Sequence, residues 1–155
     1  MKILSRHQTL KERKEAFLGD INAIFSERDY AEAVSLRFNK EIHGDNFGYT
    51  PSLVMEGSTL TFHNTEEEPE THFYTHFSDD AKQHSSTTYE NMHRMLKDLQ
   101  GKNLLEPYVT CLFDHTDGCS CQYQSSTALY FLTMLSYQFK ISIDRFILCP
   151  VHGKG

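Results

Sequence analysis

Along the chain, short stretches with apolar side chains at every second position give way to stretches in which they recur every three or four. The first period is that of strands and the second that of helices. Residues 52–62 (Ser-Leu-Val-Met-Glu-Gly-Ser-Thr-Leu-Thr-Phe) read as two short β runs around a Glu56-Gly57 turn, a hairpin. His72-Phe73-Tyr74-Thr75-His76-Phe77 is rich in aromatic and β-branched residues and predicts a third strand, with His72 and His76 on one face and Ser78-Asp79-Asp80 closing it. Ser85 or Ser86 is placed to cap a helix whose anchors Tyr89, Met92, Met95, Leu96 and Leu99 fall at helical spacing before Gly101. A strand over 108–113, an apolar helix over 126–139 and a strand over 143–149 follow. Residues 9–17 alternate in charge and predict a solvent-facing helix or arm, residues 31–35 a short helix or turn, and the glycine- and Asx-rich 42–48 a loop. Strands first, then helix, strand, helix, strand, describe a mixed α/β (α+β) domain: an antiparallel three-strand meander whose later strands are joined by helical crossovers.

Size makes this one unit. The chain has 155 residues, 39% of them hydrophobic, enough for a single core. We divide it into a charged arm or helix over residues 1–19 and a domain over 20–155. The first residues, Met1-Lys2-Ile3-Leu4-Ser5-Arg6-His7, lack the apolar stretch of a secretion signal. The longest apolar run is interrupted by Thr133, Ser136 and Gln138 and is too short to span a bilayer. The expectation is a soluble intracellular protein, nuclear in a eukaryote, whose cysteines are reduced. A net charge of −6 argues against gripping nucleic acid by charge alone, although Lys2, Arg6, Lys11, Arg13 and Lys14 make the first segment basic. Glu66-Glu67-Glu68-Pro69-Glu70 reads as solvated surface.

The chemistry gathers in the last third. Asp117-Gly118 follows an apolar strand; alone such a pair is a turn, but a strand end is also where metal-dependent phosphodiester cutting places its acids, around two ions about 4 Å apart. The run Thr116-Asp117-Gly118-Cys119-Ser120-Cys121-Gln122-Tyr123, with His152-Gly153-Lys154-Gly155 at the end, resembles a pattern in DDE transposases of the RNase H-like superfamily. Upstream, Phe25-Ser26-Glu27-Arg28, the residues 40–48 and 52–57, and Ser78-Asp79-Asp80 are similar to the same family, so the resemblance covers about 21–155. It implies an RNase H-like fold, ancestral Mg²⁺- or Mn²⁺-dependent cleavage and strand transfer on DNA, transposon ends as partners, and Asp117 as the second catalytic acid and metal ligand. It also implies that Ile24 stands where the first acid belongs, and an alkyl side chain cannot ligate a hard cation. Asp20 and Glu27 are poor substitutes, the first four residues away and the second on the opposite strand face. The third acid would follow Gly155, so the expectation is a truncated, catalytically inactive relic with weak or no DNA binding and some self-association, marginally stable and with apolar surface exposed around 143–148. Asp114, three residues before Asp117, is expected as a surface cap in preference to a minor metal ligand, and Cys111 as core.

A second chemistry uses the same region. Cys119, Cys121, Cys149 and His152 form a Cys₃His set of zinc ligand types. If the strands over 108–113 and 143–149 are parallel neighbours, both halves leave the sheet at the same edge, and the alternative is a non-catalytic, zinc-stabilised binding module. His115 near Cys119 offers a base to a thiol but lacks an orienting third group. Gly153-Lys154-Gly155 lacks the glycine spacing of a phosphate loop.

Overall fold

The computed structural model describes residues 15, 19–31, 34–35, 52–64, 66–79, 84–105, 109–116 and 123–147. Its strands are β1 (Ala23–Tyr30), β2 (Val34–Ser35), β3 (Ser52–His63), β4 (Pro69–Ser78), β5 (Cys111–Thr116) and β6 (Ser142–Ile147); its helices are α1 (Ser85–Gly101) and α2 (Ser126–Phe139). They form one mixed sheet in the order β4-β3-β1-β5-β6, with β2 pairing the start of β3. The first three strands are antiparallel neighbours, whereas β5 runs parallel to β1 and β6 parallel to β5. Parallel neighbours require a crossover, and α1 and α2 supply the two.

Alternation sets which face is covered. Ile24 and Leu112 are adjacent in register on β1 and β5, and with Leu60 and Phe62 of β3 they face Met92, Met95, Leu96 and Leu99 of α1 and Leu135 and Phe139 of α2. All are buried, and this layer between sheet and helices is the main core. Tyr74 on β4 ties the edge strand to α1 by donating to Asp98 Oδ2 at 2.7 Å, where Lys102 Nζ also donates.

Local chemistry explains the boundaries. β3 passes straight through Glu56-Gly57, with Gly57 paired to Asp29 on one side and Thr75 on the other, so the expected hairpin there is a single strand. The turn lies later: Asn64 Oδ1 accepts from the backbone N–H of Glu66 and Glu68, and Glu67 takes a left-handed φ of 60°. That side-chain-closed turn joins β3 to β4 and outweighs a mid-strand glycine. Residues 34–35 pair as a strand with Leu53 and Ser52, instead of forming the helix or turn expected over 31–35. Neither Ser85 nor Ser86 caps α1; the cap position is His84, with no side-chain bond. Ser125 does cap α2, accepting from Ala128 N at 3.1 Å, and Lys140 ends that helix at φ 53°. β5 starts three residues later than the stretch expected over 108–113, because register with Ala23 begins at Cys111. Cys111 is half-buried at that start and not core. The segments 9–14, 16–18 and 42–48 lie outside the described residues.

Candidate functional site

Where the inward face of the sheet reaches the C-terminal ends of β1, β5 and β6, the alternation places charges instead of alkyl groups. On β1 the inward series is Ile24, Ser26, Arg28; on β5 it is Leu112, Asp114, Thr116; on β3 it includes Glu56 between Val54 and Ser58; on β6 Arg145 follows Ile143. Arg28 is 2% exposed, and Asp114 and Glu56 are fully buried. Charges are rarely buried unless paired, and these pair with one another.

The Arg28 guanidinium is the hub. Its Nε and Nη2 donate to the two oxygens of Asp114 at 3.0 and 2.9 Å, a bidentate fork. Its Nη1 donates to Glu56 Oε1 at 3.3 Å and to the Thr88 carbonyl at the start of α1 at 3.1 Å. Arg145 Nε donates to Asp114 Oδ2 at 2.7 Å. Glu56 also accepts from Tyr123 Oη at 3.1 Å and from Asn91 Nδ2. Both guanidinium carbons stand over the Tyr123 ring, at 5.4 and 5.5 Å from its centre. Two cations and two carboxylates thus close on each other beneath the first turns of α1.

Protonation follows from burial set against pairing. Burial alone would push the Asp114 carboxyl up, but Arg28 and then Arg145 outweigh it and hold it down at about 2. For Glu56 burial wins, and its pKa lies above the ordinary carboxylate range despite Arg28. Burial lowers Arg145, opposed by Asp114, while the two carboxylates overcome burial at Arg28 and raise it.

Divalent metal chemistry needs carboxylate oxygens with lone pairs to spare. Every oxygen of Asp114 and Glu56 already accepts at least one hydrogen bond, and Arg28 and Arg145 already neutralise their charge, so paired as they are these two acids do not offer a Mg²⁺ or Mn²⁺ site. Among the described residues no group of three or more His, Cys, Asp and Glu side chains is placed to hold a metal ion. Asp117, Cys119, Cys121, Cys149 and His152 lie outside the described residues.

The remaining residues singled out from sequence are dispersed. Ile24 is in the core beside Leu112, four positions before Arg28 on the same strand. Asp20 closes a turn by accepting from Asn22 N, and Glu27 faces away from Arg28 and Ile24. Asp114 is the buried centre of an ion-pair network and not the surface cap expected of it. His115 is buried between the rings of Phe25 and Phe146 on the far face of the sheet. His72 and His76 do share a strand face, both part-buried toward α1. Of the apolar exposure expected around 143–148, the described part is modest, since Ile143, Phe146 and Ile147 are part-buried; the large exposed groups include Phe73 and Phe77 on β4 and Leu129, Tyr130, Met134 and Tyr137 on α2.

Among the described residues no helix is long and apolar enough to cross a membrane. Residues 6–155 match the model of a family described as a domain of unknown function, DUF8701, and the chain belongs to that family. No curated protein and no solved structure matches it.

Proposed function

We propose that the chain is an RNase H-like domain of DDE-transposase descent that no longer cuts DNA and serves as a binding scaffold. The strand order β4-β3-β1-β5-β6, with three antiparallel strands followed by two parallel ones reached through helices, supports the RNase H-like reading. The observation that carries the loss of catalysis is the network of Arg28, Asp114, Glu56 and Arg145. At the strand ends where such a fold gathers metal-binding acids, two guanidinium groups occupy the carboxylates. Ile24 stands where the first acid of the ancestral set belongs, Asp117 follows β5 where the second does, and two-metal catalysis needs several acids together. Linear and branched DNA incubated with the chain in Mg²⁺ or Mn²⁺ is therefore expected to remain intact, with Asp117→Asn indistinguishable from wild type. Metal-dependent cleavage that disappears in Asp117→Asn would overturn the reading.

One observation favours a second reading. β5 and β6 are parallel neighbours, so the chain leaves both at the same sheet edge, and Cys119, Cys121, Cys149 and His152 follow shortly after in sequence. A zinc ion held by these four would fasten that edge, with thiolate and imidazole donors suited to a closed structural site. Elemental analysis of the purified chain then gives about one zinc per chain, lost in Cys149→Ser. A zinc content near zero in the wild-type chain rejects this reading and leaves the first standing.

A further inference from the structure

We infer that the cavity at the opposite end of the sheet from the ion-pair network binds a small primary amine with an apolar body, its ammonium group held by Glu67. The cavity measures about 320 Å³, within the range of small-ligand sites. Five parts of the chain meet there: Asn22 and Ala23 open β1, His63 ends β3, Glu67 lies in the turn into β4, Leu104 follows α1 and Val109 precedes β5. Arg28, Asp114 and Arg145 lie toward the other ends of their strands, so this site does not depend on the ancestry proposed above.

The lining selects the charge of the ligand. Among the described residues that line the cavity, Glu67 is the one carboxylate and none is Lys or Arg. Lys102, next to Asn103, is engaged by Asp98 at 2.7 Å. Glu66 and Glu68 flank Glu67 and the chain carries −6 overall, so an anion meets repulsion here and a cation does not. Asn22 and Asn103 add carboxamide oxygens, which can take the N–H donors an ammonium keeps after pairing with one carboxylate. A quaternary ammonium fits less well, because it is recognised by a cage of aromatic faces and the one ring among these residues is the His63 imidazole. Ile21, Ala23, Leu104 and Val109 supply the apolar lining against which a hydrocarbon body loses water.

The backbone singles out Glu67. It is exposed at the rim with φ 60°, a conformation that glycine and asparagine take more readily than glutamate. Asn103, at φ 57°, has a local reason: it ends α1, where its N–H and that of Leu104 donate to the carbonyls of Gln100 and Leu99. Nothing local asks for a carboxylate at 67, since the Asn64 side chain and backbone bonds close that turn. A charge held in a disfavoured conformation at the mouth of a cavity points to the group it meets there.

Titration of the isotopically labelled full chain with phenethylamine at pH 7, followed by amide NMR, is expected to saturate, with the largest shifts at Asn22, Glu67, Asn103 and Leu104. Phenylpropionate, with the opposite charge on the same body, and ethylamine, without the ring, bind about tenfold more weakly or worse. Glu67→Asn keeps the turn, since asparagine accepts a left-handed φ, and weakens phenethylamine by about tenfold or more with no loss in thermal melting. Phenethylamine that does not saturate, or binds no better than phenylpropionate, overturns the inference. So does ethylamine that matches it, which would mean an ion pair with the acidic turn alone, and so do shifts confined to other parts of the chain. Unchanged affinity in Glu67→Asn overturns it as well, because the ammonium is then held elsewhere.

Discussion

Arg28→Met is expected to cost about 3–5 kcal/mol of folding stability at neutral pH, because it strands buried acids instead of merely deleting a contact. Small domains are stable by roughly 5–15 kcal/mol, so this one substitution removes a third or more of the margin in most of that range. Asp114 keeps Arg145, but Glu56 keeps only the neutral donors Asn91 and Tyr123. Burial already raises Glu56, and without Arg28 it rises further. A carboxyl whose folded pKa exceeds its unfolded one binds its proton more tightly when folded, so the variant regains stability as pH falls through that raised pKa. Asp114 has the opposite sign in the wild type. Held at about 2, it contributes stability that is complete above its unfolded pKa and is lost only as pH falls toward 2. Urea unfolding of both proteins from pH 8 to pH 4 reads the Glu56 effect, the Asp114 contribution being complete throughout that range, with the gap between the two proteins widest at high pH. Arg28→Met/Glu56→Gln removes one charge of each sign and recovers most of the loss, the non-additivity expected of partners in one network. A single variant within about 1 kcal/mol of wild type at pH 8 would show that the network is not closed as described.

That network was hidden from sequence for a definite reason. Arg28, Glu56, Asp114 and Arg145 lie on four different strands, and no spacing along the chain relates them. The available signal was local and uneven: Glu56 follows Val54, Asp114 follows Leu112 and Arg145 follows Ile143 at inward positions, whereas Arg28 follows Ser26. A single charge of this kind reads as a strand end or a turn, which is why Asp114 was expected as a surface cap. Four of them, two of each sign, make a buried cluster. α1 and α2 were legible because fourteen or more residues repeat one period, and α2 begins and ends where its pattern does. β3 was not, since Glu56-Gly57 has turn composition while the side chain of Asn64 makes the actual turn. Pairing to β1 on one side and β4 on the other decides that strand, and pairing is not a local property. The parallel placement of β5 and β6 did follow from the pattern, because two strands joined by one helix have few other arrangements.

Ile24→Asp, which places an acid where the descent we propose would have its first, is expected to destabilise the chain by more than about 4 kcal/mol and to confer no metal-dependent cleavage. Ile24 is fully buried, with Leu112 beside it on β5, in the same apolar layer as Leu96 of α1. Replacing a buried isoleucine with a smaller side chain costs about 2–5 kcal/mol through lost transfer and cavity, and an unpaired polar group adds to that. The nearest cation in the strand is Arg28, four positions on, about 13 Å away at roughly 3.3 Å per residue, and it is already engaged by Asp114 and Glu56. The new carboxyl therefore stays protonated in the folded chain, and the penalty grows with pH from the pKa of an unfolded Asp up to the raised pKa of the buried one. Ile24→Asn, with the same shape and no charge, separates the terms: it matches Ile24→Asp in acid and is the more stable of the two at pH 8. Ile24→Val, which removes one methylene, costs about 1 kcal/mol and calibrates the site. Should Ile24→Asp fold with wild-type stability and bind Mn²⁺, position 24 faces other acids and not the core, and the relation of β1 to β5 must differ from the register in which Ile24 meets Leu112.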